Sequence, residues 1–171
     1  MSTKKTLILD KEQIKQKSKR IAYQILEDNF DEANIVLVGI ASRGYIFAQR
    51  LQKILNELAP EKNIKLIKVT IDKEKRSLEA RTDLPTSNAA NTTVILVDDV
   101  MNSGRTIAYA LGVFIDVPLN KMRTAVLVDR SHHKFPVYID YSGIKLSTIL
   151  KEHVEVCLEE VDGSEDAAWL Y

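Results

Sequence analysis

Short unbroken apolar runs alternate along this chain with longer stretches in which apolar positions recur every three or four residues. Ile35-Val36-Leu37-Val38, Val94-Ile95-Leu96-Val97 and Thr124-Ala125-Val126-Leu127-Val128 are runs of the first kind. They are short, rich in β-branched residues and apolar on both faces, as strands buried in a parallel sheet are. Residues 64–71 read as a further strand rich in Ile, Leu and Val. The second kind of pattern begins at residue 11. Residues 11–28 put Ile14, Ser18, Ile21, Ala22, Ile25 and Leu26 on one helical face and lysines on the other. Asp10 precedes this helix as an N-cap, its carboxylate able to accept orphan N–H groups. A second helix carries Phe47, Leu51, Ile54, Leu55 and Leu58, with Pro60 just past it, and a third is expected over about 104–115. The order βαβ, polar stretch, βαβ predicts an α/β fold built on a doubly wound, mostly parallel sheet.

Ligands of such sheets bind at the carboxyl ends of the strands. Three segments with distinctive chemistry lie at those ends. Asp98 and Asp99 are expected to end the Val94–Val97 run, and the turn Asn102-Ser103-Gly104-Arg105-Thr106 follows them. That turn can set several backbone N–H groups at a helix N-terminus, and with the hydroxyls of Ser103 and Thr106 it suits a phosphate dianion. The two carboxylates need a partner beside the phosphate, either sugar hydroxyls or Mg2+. A phosphate cup next to a diacid describes a sugar-phosphate site. There is no Gly-Lys-Ser/Thr, so the turn is not a Walker P-loop. Gly39-Ile40-Ala41-Ser42-Arg43-Gly44 is the second segment, either a further anion-binding loop or an ordinary turn with Arg43 solvated. Asp129-Arg130, followed by Ser131-His132-His133, is the third.

The string from Val94 to Thr106 resembles the phosphoribosyl diphosphate (PRPP) motif of the type I phosphoribosyltransferases. Likeness to the pyrimidine-operon attenuator and uracil phosphoribosyltransferase group extends over most of the chain. It runs through Ile8-Leu9-Asp10, Val38-Gly39-Ile40 with Arg43-Gly44, Ala125 to Arg130 with His132, Asp140-Tyr141 with Gly143, and Glu159-Glu160-Val161-Asp162. The resemblance implies one domain spanning residues 1–171, with a core over about 10–130 and a hood and C-terminal segment over about 130–171. It also implies transfer of ribose 5-phosphate from PRPP to a nucleobase, uracil favoured, with release of pyrophosphate. The implied alternatives are an RNA-binding regulator or PRPP sensor with weak turnover, and a purine phosphoribosyltransferase. Hypoxanthine-guanine enzymes place an Asp base where this chain has Asn102, and a neutral amide cannot take that proton.

By the same resemblance, Asp98 and Asp99 are catalytic and touch Mg2+ through the PRPP complex. Asn102, Ser103, Gly104, Arg105 and Thr106 bind the 5′-phosphate, Ser42, Arg43 and Gly44 bind the pyrophosphate, and Asp129 and Arg130 complete the substrate site. A mobile catalytic loop is expected within 72–93, with Arg76 and Arg81 as candidate cations. Three differences set this chain apart from the attenuators. Its 72–93 stretch is shorter, Lys145-Leu146-Ser147-Thr148 replaces a more polar segment, and Lys19 and Tyr23 stand where attenuators carry Thr and His, although Arg20 is kept.

Composition narrows the remaining possibilities. The 171 residues carry 24 basic and 24 acidic side chains, so the chain is no bulk polyanion binder. The signs are segregated, with Lys4, Lys5, Lys11, Lys15, Lys17, Lys19 and Arg20 near the start and mostly acids after Glu152. The basic helix face is either solvated or a set of phosphate contacts to RNA, and solvation is the favoured reading. The single Cys157 forms no internal disulfide and fits a reducing cytoplasm. No apolar run approaches a membrane span and no signal-peptide core is present, so a cytoplasmic protein without a membrane partner is expected. His132 and His133 lack the spaced partners of a metal site and read as loop residues. Trp169 and Tyr171 are expected to anchor the tail or to meet a second subunit. The family usually forms dimers or larger homo-oligomers.

Overall fold

A computed structural model describes residues 5–72, 74, 79–149 and 151–171. The unbroken apolar runs become strands whose side chains divide by parity. In β2 (Asn34–Ile40), Ile35 and Leu37 enter one core while Val36, Val38 and Ile40 enter the other. The same division holds in β5 (Thr93–Met101), where Ile95 and Val97 oppose Val94 and Leu96. Both faces of these strands are therefore covered, as continuous apolar runs require. The first core is closed by α1 (Lys11–Asp28) and α2 (Arg43–Leu58). The second is closed by α3 (Arg105–Val113) through Ile107 and Ala110.

The main sheet has six strands in the order β4-β3-β2-β5-β6-β7. Here β3 is Asn63–Asp72, β4 is Glu79–Thr82, β6 is Lys121–Asp129 and β7 is Tyr141–Lys145. Every neighbouring pair is parallel except β3 with β4. The chain runs outward from β2 to β3 and then returns to β5, so strand order reverses between β2 and β5. That reversal opens a crevice at their carboxyl ends. A smaller antiparallel sheet, ordered β1-β9-β8, joins β1 (Thr6–Leu9) to β8 (Val154–Cys157) and β9 (Ala167–Leu170). The segment after residue 130 thus gives β7 to the main sheet and pairs β9 with the N-terminal strand.

Asp10 caps α1 as expected, accepting from the Gln13 N–H at 2.8 Å while the Gln13 side chain accepts from the Asp10 N–H at 2.9 Å. One expectation is corrected. Asp98 and Asp99 do not end their strand: β5 runs on to Met101, because β6 continues the ladder with Val100 opposite Val128 and Met101 opposite Asp129. Within the polar stretch 72–93, Glu79–Thr82 pairs antiparallel with β3 as an edge strand and Thr86–Ala89 forms a short 3-10 turn. An edge strand needs a ladder partner but no continuous apolar face, so its sequence carries little signal.

A charged clamp holds the C-terminal segment to the core. Arg50 on α2 donates to Glu160 and to Asp166, the latter nearly buried, around α4 (Glu159–Asp162). The Arg50 guanidinium is held well above its ordinary pKa, chiefly by the hydrogen bond to Asp166. Burial pushes the Asp166 carboxyl up, but hydrogen bonds from Arg50 and the Glu159 N–H outweigh it and leave the group below its usual range.

Candidate active site at the carboxyl edge of the sheet

The chain leaves β2 through Ser42 and enters α2 at Arg43. Ser42 occupies the cap position but its hydroxyl makes no capping bond. At Gly44 the helix runs hard against β5: a Cβ there would lie 2.7 Å from Asp98 Oδ1 and 2.9 Å from the Val97 carbonyl. Gly44 therefore permits the close approach of the two segments. Arg43 is fixed by a two-pronged pair with Asp162, Nη2 donating at 2.6 Å and Nε at 3.2 Å. This hydrogen bond raises the Arg43 pKa and holds the Asp162 carboxyl below its usual range.

Asp98 is nearly buried, and its Oδ1 accepts the Asp99 N–H at 2.9 Å. Asp99 is half-buried. After Met101 the chain turns through Gly104, whose φ of +86° lies in the left-handed region that favours glycine. A Cβ at Gly104 would also meet Met101 Cε at 2.8 Å. No side chain caps α3, and Ser103 Oγ accepts from the Arg105 N–H at a long 3.3 Å. The first turn of α3 therefore opens toward the crevice with its positive dipole end uncapped.

The segment following β6 wraps around this turn. Lys134 and Phe135 donate their N–H groups to the Ser103 carbonyl at 2.9 and 3.0 Å, and Arg130 donates its own to Met101 at 3.2 Å. The Asp129 carboxylate is buried, accepts from the Ser131 N–H and pairs with His133 Nε2 at 2.9 Å. The Arg130 guanidinium donates to Asn102 Oδ1 at 2.9 Å, to Thr148 Oγ1 at 3.2 Å and to the Glu152 carbonyl.

Ser42, Arg43, Asp98, Asp99, Asn102, Ser103, Gly104 and Thr106 line a single cavity of about 250 Å³. Other expected residues lie off it. Gly44, Asp129 and Arg130 are not among its lining residues, and Arg105 lies over the Tyr109 ring at 5.8 Å. Arg81 is on exposed β4, paired to Glu79 at 3.2 Å and outside the cavity. Arg76 lies outside the described residues. Among the described residues no three His, Cys, Asp or Glu side chains gather as a metal cage.

The family profile of the phosphoribosyl transferase domain matches residues 5–160. The chain belongs to that family. The "Bifunctional protein PyrR" of Fusobacterium nucleatum subsp. nucleatum is 35% identical over 177 residues, covering 99% of this chain and 100% of that protein. Its counterpart in Limosilactobacillus reuteri subsp. reuteri is 37% identical, covering 93% of this chain and 94% of the other. Among solved structures, the hypoxanthine phosphoribosyltransferase of Trypanosoma cruzi superposes with a TM-score of 0.78 at 16% identity, covering 96% of this chain and 95% of that one. At that identity the likeness shows the shared fold.

Two pairings around this cavity, Asp162 with Arg43 and Arg130 with Asn102, could not be read from the sequence. Each joins residues far apart along the chain. The only available signal for the first was the segregation of basic and acidic residues toward opposite ends.

Proposed function

We propose that this phosphoribosyltransferase uses PRPP to ribosylate a pyrimidine, with uracil as the acceptor. The reading is supported above all by the convergence on one cavity of a diacid, an uncapped helix N-terminus and the Ser42-Arg43 turn. In the reaction a ring nitrogen of the base, giving up its proton to solvent, forms a bond to C1 of the ribose as the C1–oxygen bond to pyrophosphate breaks, through an oxocarbenium-like transition state. Asp98 and Asp99 hold the ribose hydroxyls and stabilise the positive charge that develops on the ring. Ser103 through Thr106 hold the 5′-phosphate by N–H groups and hydroxyls. Arg43 and Ser42 hold the departing pyrophosphate, and Asp162 keeps Arg43 in place. Much of the acceleration comes from orientation and from charges fixed before the reaction starts.

The donor set suits Mg2+, which is commonly held by one or two carboxylates together with substrate phosphates. Asp98 and Asp99 would hold it, and the charge it supplies there would offset that of the pyrophosphate oxygens. The test is pyrophosphate release from PRPP and Mg2+ with uracil, orotate, adenine, guanine, hypoxanthine or xanthine. Release with uracil alone is the expected result; release only with a purine would overturn the choice of base.

A second reading, RNA binding by an oligomer in the cytoplasm, draws support from the relatives whose name calls them bifunctional. Arg20 is committed to the Ser142 and Gly143 carbonyls, so the exposed Lys15 and Lys19 would carry the phosphate contacts. RNA affinity that falls with salt and is lost in the Lys15→Ala, Lys19→Ala double variant is the expected signature. Affinity indifferent to both would exclude this face.

A further inference from the structure

The Arg130–Asn102 pair bears on which base can be used. Arginine has five N–H donors and no acceptor, so the Asn102 atom it meets must be the amide oxygen. This settles the orientation of the amide chemically. Arg130 is itself nearly buried and is held on its other nitrogens by Thr148 and the Glu152 carbonyl, so it cannot readily swing away. Asn102 is exposed on the cavity wall, and among the described residues its Nδ2 group has no partner. What it offers on the side away from Arg130 is a donor, because its oxygen is turned toward the guanidinium.

Sheet order indicates which part of a substrate meets that donor. Across the carboxyl edge, Ser42-Arg43 follows β2, the diacid lies on β5 and Arg130 follows β6. In a direct displacement the incoming base approaches C1 from the side opposite the leaving pyrophosphate. With the pyrophosphate on the β2 side, the base arrives on the β6 side, where Arg130 and Asn102 stand.

We propose that Arg130 is a positioning residue that locks Asn102 as a hydrogen-bond donor, so that the site selects a base presenting a carbonyl oxygen at that point and disfavours one presenting an amino group. This inference rests on the transfer reaction proposed above. A carbonyl there accepts from Nδ2. An amino group would set donor against donor and leave both unsatisfied as water is excluded.

The test compares uracil with 2-thiouracil and 4-thiouracil, whose thiocarbonyls are weaker acceptors. It measures kcat/KM in wild type, Asn102→Ala and Arg130→Lys, with PRPP affinity measured separately by calorimetry without base. Wild type should prefer uracil over one of the two analogues. In Asn102→Ala that preference should collapse toward unity, uracil efficiency should fall about tenfold, and PRPP affinity should stay within about twofold. Arg130→Lys also presents only donors to Asn102, so it should keep the preference even where it lowers the melting temperature. A merely structural role would weaken all three bases alike and leave their ratio untouched.

An unchanged preference in Asn102→Ala overturns the proposal while leaving the transfer reaction standing. A large loss of PRPP affinity in that variant also overturns it, because Asn102 would then serve the phosphate. A wild-type protein that binds PRPP but transfers to no base refutes the reaction itself, and this inference with it.

Discussion

At Gly44 one hydrogen atom decides whether the site exists. A methyl group there would press on the Asp98 carboxylate and the Val97 carbonyl from below 3 Å. Gly44→Ala should therefore lower stability by about 2 kcal/mol in chemical denaturation, and it should also reduce turnover, since the atom displaced is an oxygen of the diacid. Asp99→Asn makes a contrasting case. The bond from Asp99 to Asp98 uses the backbone N–H, which the amide variant keeps. Its melting curve should match wild type while kcat drops by about a hundredfold or more. Residues of this kind were legible early because their chemistry is local: an acid pair, a glycine and two hydroxyls within a few positions of each other. Arg130 was legible only as a member of the site. The three partners of its side chain come from two segments remote from it, around Asn102 and over Thr148 to Glu152, so nothing near it in the sequence says that it faces Asn102 rather than substrate.

Among the elements, those buried on both sides could be read from the sequence and those at edges could not. β2, β5 and β6 announce themselves as apolar runs because two helical layers cover them. β4 and the small sheet are half exposed, and their pattern is diluted accordingly. The docking of α4 and β9 on α2 depends on charge instead. Asp166→Ala would leave Arg50 with only the more exposed Glu160 and would strip a hydrogen bond from the Glu159 N–H. A loss of about 2 kcal/mol in urea titration is expected, below the range for wholly buried pairs because Arg50 keeps some access to solvent. The same segment carries an acid sensitivity. Arg43 lowers the pKa of Asp162 and Arg50 that of Glu160, each mainly through its hydrogen bond. The native state thus binds protons less readily than the unfolded chain does. This stabilisation is complete above the ordinary carboxylate range near pH 4 and is lost as pH falls through the lowered native values. Unfolding midpoints measured from pH 7 to pH 3 should decline more gently in Asp162→Asn than in wild type.

For the molecule as a whole, equal numbers of acids and bases conceal an arrangement in which opposite ends attract. Lys5 lies 3.0 Å from Glu155 and Lys11 lies 3.8 Å from Glu159, both exposed pairs that contribute little in salt. Segregated charge was visible in the sequence; that it draws the two ends together was not, since a charge count carries no geometry. No helix among the described residues is long and apolar enough to cross a membrane. The meeting of the ends has a consequence for how the protein is made. β1 pairs with β9, Thr6 opposite Leu170, the widest separation along the chain of any strand pair described. A ribosome delivers β1 long before its partner β9. The two parallel halves around the crevice can assemble while synthesis continues, but the small sheet must wait until β9 has emerged. The pair that steadies Arg43 is therefore late to form, and a nascent chain stalled before Asp162 would carry a nearly finished crevice whose Arg43 is still loose.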